Sequence, residues 1–123
     1  MRALVVDDSK AMRMLLGRQL RQLGFEVGEA GDGLQALEVL RAESGWSIVL
    51  VDWNMPHMDG LSFVLEVRGK PDWADIQLMM VTTETETDQV VRALEAGANE
   101  YLMKPFVADA LAEKLTLLGV LAA

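Results

Sequence analysis

The 123-residue chain has no cysteine, a single histidine and only three prolines. The lack of thiols excludes disulfides, thiolate metal sites and cysteine nucleophiles, and fits a reducing cytoplasm. The one histidine, His57, falls in a loop, where it is expected to face solvent with no metal or phosphotransfer role. No apolar run approaches the roughly 20 residues of a membrane helix. The opening MRALVVDD turns charged after a run too short for a signal sequence. Positive charge is also scarce, with 11 Lys and Arg against 19 Asp and Glu and a formal net charge of -8. Such a chain repels nucleic acid and anionic membrane at long range, so neither is expected as a direct partner.

What remains is ordinary for a globular protein: 51% hydrophobic and 24% charged residues. The length suits one compact domain, expected to span 1–123. Strand-like and helix-like segments alternate along the chain, which predicts an α/β fold with a parallel sheet covered by helices. Strands are expected at Ala3–Asp7, Phe25–Glu29, Ser47–Asp52, Ile76–Val81 and Glu100–Met103. The second alternates with polar residues, as suits a sheet edge; the third is continuously apolar, as suits the centre. Helices are expected from the Ser9 cap to Leu23, after the Asp32 cap, over Gly60–Arg68, from about Thr87 to Ala96, and over Val107–Leu118. Met12, Leu15, Leu16, Leu20 and Leu23 are read as the buried side of the first helix; Leu34, Leu37, Val39 and Leu40 as that of the second.

Four of these runs end in residues suited to phosphate or metal chemistry: Asp7 and Asp8, Asp52, Thr82, and Lys104. In an open parallel sheet, ligands bind beyond the carboxyl ends of the strands. Three carboxylates meeting there repel strongly, since two unit charges 4 Å apart cost roughly 4 kcal/mol at an effective dielectric near 20. Lys104 offers one compensating charge and a divalent ion the rest. With oxygen ligands alone, Mg²⁺ is the expected ion. The pair Asp7–Asp8 reads as the metal holder. Asp52, alone after the most apolar strand, reads as a nucleophile toward phosphorus that forms an aspartyl phosphate, with Thr82 and Lys104 on the added oxygens. Pro105 biases Lys104 toward extended backbone; a cis bond between them is the minority state in general.

Each residue also has an ordinary reading. Asp7 and Asp8 can cap a helix, Asp52 can sit in a turn, Thr82 can simply favour a strand end, and Lys104 can be a solvated lysine. Tyr101 can be a half-buried packing residue. Trp53 is expected to be partly exposed.

The motifs LVVDDS, VDWNMPHMDG, MMVTTE and YLMKPF, in this order and spacing, resemble the response-regulator receiver domain along essentially the whole chain. The resemblance implies a flavodoxin-like (βα)5 fold, strand order 2-1-3-4-5, helices on both faces. It makes Asp52 the phosphoacceptor, and Asp7, Asp8, Asp52 and the backbone carbonyl of Asn54 the Mg²⁺ ligands. Thr82 and Tyr101 become switch residues, and Asn54 and Glu84 tune dephosphorylation, a combination that resembles the single-domain chemotaxis regulators. The implied partners are a histidine kinase as phosphodonor and a downstream protein such as a flagellar motor switch protein, met by a monomer. The chain ends after the fifth helix, so output is expected through protein–protein binding. Rival readings are a phosphorelay intermediate, a Mg²⁺-dependent aspartyl-phosphate phosphohydrolase and a flavin-binding module. The phosphohydrolase lacks support because Asn54 stands where a second acid is needed; the flavin module lacks a Ser/Thr-rich phosphate loop after the first strand.

Overall fold

A computed structural model describes residues 1–83 and 88–122 in full and the backbone of Thr87. The elements run β1 (Arg2–Val6), α1 (Lys10–Gln22), β2 (Glu26–Ala30), α2 (Gly33–Ala42), β3 (Trp46–Val51) and α3 (Gly60–Arg68). There follow a 3₁₀ turn (Pro71–Trp73), β4 (Gln77–Thr82), α4 (Thr87–Ala96), β5 (Glu100–Met103) and α5 (Ala108–Leu117). The five strands form one sheet in the order β2-β1-β3-β4-β5, every pair parallel. The expected α/β class, strand order and five helices are therefore present.

Alternate strand residues point to opposite faces, and the core divides accordingly. Leu4, Val6, Val49, Val51, Leu78 and Met80 join the cluster with Leu37 and Leu40 of α2, Phe63 and Val64 of α3, and Ala93 of α4. Ala3, Val5, Ile48, Leu50, Met79 and Val81 join the other, with Leu16 and Leu20 of α1 and Leu111 and Leu115 of α5. Burial on both faces explains why β1, β3 and β4 read as unbroken apolar runs.

The structure corrects several details. The first four strands are each displaced by one residue from the expected bounds, because the ladder, not the hydrophobic run, sets where a strand ends. Leu15 and Leu34 face solvent. Helix rotation brings Leu16 and Leu20 inward in α1, and Ala36, Leu37 and Leu40 in α2. Trp53 is buried, packed into the cluster under α2, α3 and α4. The turn Pro71–Trp73 carried no periodic signal.

Arg68, at the end of α3, ties the loops together at the far end of the sheet. Its guanidinium donates to the carbonyls of Gly97 at 2.9 Å and Ile76 at 2.9 Å, and to Asn99 Oδ1 at 2.7 Å. Gly97 itself has φ +120°, and any Cβ there would run into the Arg68 stem.

Candidate functional site

The ends of β1 and β3 are held side by side by the ladder, which continues one step past each strand. The Asp7 amide donates to Ala30 O at 3.1 Å, and the Asp52 amide to Val6 O at 3.0 Å. The Lys104 amide likewise donates to Thr82 O at 2.9 Å. The sheet order thus brings four chain segments to one edge.

Asp7, Asp8 and Asp52 each offer a carboxylate oxygen, and these oxygens lie within 4.8 Å of one another. Lys104 Nζ is 2.8 Å from Asp7 Oδ2 and 3.7 Å from Asp52 Oδ1. The side chains of Asp7, Asp52 and Lys104 are only 3%, 12% and 12% exposed, while Asp8 faces solvent. Asp7 is further fixed by the Ser9 amide, which donates to Oδ1 at 2.9 Å. Ser9 in turn caps α1, its Oγ accepting from the Met12 amide.

Burial pushes the Asp52 carboxyl above its ordinary value. Lys104 and the Trp53 amide pull it down; Asp7 and Asp8 push it up. Three carboxylates and one ammonium leave two negative charges in excess, a balance that one divalent cation would cancel.

Helix α3 starts hard against this centre. Gly60 donates to Trp53 O at 2.8 Å, and a Cβ on Gly60 would collide with the Asp52 carbonyl and with Met80. Only glycine lets α3 approach the loop that carries Asp52 and Asn54. Asn54 is exposed. Thr82 is buried as the last residue of β4. Thr82 shares a small cleft with Trp53, Val90, Ala93 and Tyr101. Tyr101 is half-buried against the same core cluster. The Lys104–Pro105 bond is cis. Glu84 lies outside the described residues.

Two contributors escaped the sequence reading. Arg13 donates from Nη1 to Asp7 O at 2.6 Å and pairs with Glu29 at 3.1 Å. Its signal was present: α1 opens with bases and no acid in its first turn, opposite to what the helix dipole favours. Lys114 Nζ lies 4.9 Å from the Tyr101 ring centroid and 3.0 Å from Glu100 Oε1. Nothing in the sequence spacing marks that contact, since it depends on how α5 packs on β5.

The family description "Response regulator receiver domain" matches residues 3–116. Chemotaxis protein CheY1 of Helicobacter pylori is 44% identical over 116 residues, covering 94% of each chain. A chemotaxis protein CheY homolog of Campylobacter jejuni is 42% identical over 94% of this chain and 89% of its own. The solved structure of Vibrio cholerae chemotaxis protein CheY4 superposes with a TM-score of 0.89 at 32% identity, covering 95% of this chain and 97% of that one. With the family model spanning most of its length and such relatives on either side, the chain belongs to the response regulator receiver domain family.

Proposed function

We propose that the chain is a phosphorylation-dependent switch of a two-component system, acting in the cytoplasm and probing its partners by protein–protein binding. The observation that carries the reading is the convergence of Asp7, Asp8, Asp52 and Lys104 at one sheet edge. Asp52 is the nucleophile: a carboxylate oxygen attacks the phosphorus of a phosphohistidine. The P–N bond breaks, its electron pair returns to the imidazole nitrogen, and an aspartyl phosphate forms. Asp7, Asp8, Asp52 and the Asn54 backbone carbonyl would hold Mg²⁺, which when bound neutralises charge on the transferring phosphoryl oxygens. Lys104 starts paired with Asp7 and is free to pair with the new oxygens as a point charge.

The phosphoryl group adds about -1.5 to -2 charges, by analogy with other phosphorylated side chains. Thr82 moves toward it and opens room in the cleft it shares with Tyr101, which turns inward. The face of α4, β5 and α5 is repacked, and the population of the partner-binding state rises. That face already exposes Val91, Leu94, Met103 and Val107. The chain catalyses only its own phosphorylation and dephosphorylation, the latter tuned by Asn54 and Glu84. The role named for its relatives extends here as chemotaxis, with a histidine kinase as donor and a flagellar motor switch protein as target.

Intact mass after treatment with acetyl phosphate tests the reading. A gain of one phosphoryl group that requires Mg²⁺ supports it. No gain at any Mg²⁺ concentration refutes it.

A further inference from the structure

Among the described residues, three buried side-chain atoms lack a hydrogen bond: Gln19 Oε1, Trp46 Nε1 and Gln89 Oε1. Gln19 stands near the end of α1, and Trp46 opens β3 at the amino end of the sheet. Gln89 is different, because it lies in the opening turn of α4, beside the switch residues. A buried acceptor without a donor is destabilising, so a fold that keeps one calls for an explanation.

The ladder shows what Gln89 faces. Met80 of β4 is in register with Tyr101 of β5, and both belong to the same core cluster. Thr82 lies two residues beyond Met80, so it shares that face of the sheet. Helix α4 covers the face with Ala93, only 2% exposed. Gln89 stands one helical turn before Ala93, on the same side of the helix. Gln89, Met80, Thr82, Ala93 and Tyr101 accordingly line one cleft. Its volume is about 10 Å³, the lower limit for a single water, so solvent is a poor partner for Oε1.

Few donors border this cleft. Trp53 is locked in the core and does not reach Oε1. Thr82 is drawn away toward the phosphoryl group in the active state. The Tyr101 hydroxyl remains. Among the described residues it has no hydrogen bond, and its ring is engaged by Lys114 of α5.

We infer that Gln89 is a positioning residue of the switch, whose side-chain amide receives the Tyr101 hydroxyl when the ring turns inward. This rests on Tyr101 responding to phosphorylation of Asp52. The hydroxyl both donates and accepts, so the pairing holds whichever end of the amide meets it. The bias is twofold. At rest the acceptor is unpaired, which raises the resting state. On activation two groups satisfy each other, which lowers the active state. Thr82 makes room for the ring, and Gln89 holds it there.

The test uses the fact that Tyr101 is the only tyrosine. Incorporated 3-fluorotyrosine therefore reports this one ring by ¹⁹F NMR. With acetyl phosphate and Mg²⁺ the wild-type signal should move to an inward position, at a phosphorylated fraction fixed by intact mass. At the same fraction, Gln89→Met should lower the ratio of inward to outward ring by about 5-fold, the effect of one net hydrogen bond. Gln89→Glu keeps an acceptor at the same reach and should restore most of the ratio. Both replacements are good helix formers. The unphosphorylated Gln89→Met chain should melt no lower than wild type, because an apolar group of similar shape replaces an unpaired acceptor.

An unchanged ratio in Gln89→Met at equal phosphorylation overturns the inference. So does a lower melting temperature of that variant at rest, since Gln89 would then be a structural tie. Slower labelling of Gln89→Met by acetyl phosphate also overturns it, by placing Gln89 in the phosphorylation chemistry. If the wild-type signal stays in place while intact mass shows one phosphoryl group, the inward turn of Tyr101 fails and the role of Gln89 with it. No phosphoryl group on wild type refutes instead the assignment of Asp52 on which both depend.

Discussion

The two ends of the sheet gather the same kinds of residue under different conditions. At the amino end, Arg2 pairs with Glu43 at 2.9 Å and Glu26 at 3.7 Å, donates to Ser44 O at 2.7 Å, and stacks 4.0 Å from the Trp46 ring centroid. Both glutamates are more than half exposed, so water solvates the surplus negative charge. At the carboxyl end, Asp7 and Asp52 are nearly buried and share one lysine. Around Arg2, as around Lys104, the acids outnumber the base they share, but only at the carboxyl end are those acids desolvated. The amino end is therefore a settled structural joint. The carboxyl end holds a desolvated negative surplus that a cation would relieve.

The sharpest way to break the comparison is Asp52→Asn. Labelling by acetyl phosphate should fall by at least ~100-fold, because the amide is not a nucleophile toward phosphorus; a persistent stoichiometric label, read by intact mass, would erase the functional distinction between the ends. Next is Trp46→Ala at the amino end. It should lower unfolding free energy by about 3–5 kcal/mol in urea melts, as expected for truncating a buried tryptophan. Folded protein should nevertheless label at the wild-type rate. A slowed rate in the folded fraction would mean that the two ends are coupled.

Mg²⁺ should act on one end alone. At ten times its dissociation constant it should stabilise the wild-type chain by about 1.4 kcal/mol. Asp8→Asn should weaken that gain, whereas Arg2→Gln should leave it intact in thermal melts.

The smallest effect is a dependence on pH, given as a sign. The Asp52 carboxyl is raised in the folded chain, so its contribution to stability is fully present below the ordinary carboxylate value and is lost as pH rises through the folded value. Metal-free Asp52→Asn should therefore melt above wild type at neutral pH. The gap should close as pH falls. A gap that widens on acidification would contradict the raised carboxyl.

Much of this contrast was legible in the sequence, for a physical reason. Central parallel strands are buried on both faces, so their apolar runs stand out, and the residues that end them necessarily share an edge. Asp7, Asp8, Asp52 and Thr82 were found in that way, and Lys104 after the short run that forms the edge strand β5. What depends on packing between distant elements was not legible. Helix rotation left Leu15 and Leu34 outside and other residues in. Trp53 was expected to be partly exposed beside Asp52, yet the cluster beneath α2, α3 and α4 takes it in. The Arg68 hub and the placement of Lys114 over Tyr101 arise only once α3, α4 and α5 are docked. The ladder bounds shifted by one residue because hydrophobicity reports burial and not hydrogen bonding.

The central claim is that the strained end reacts at one carboxylate, and borohydride reduction of the acetyl-phosphate-treated protein tests it directly. An aspartyl phosphate is reduced to homoserine, which peptide mass mapping locates. Homoserine at position 52 and nowhere else is the expected result; homoserine at 7 or 8, or none at all from a phosphorylated sample, would contradict the account.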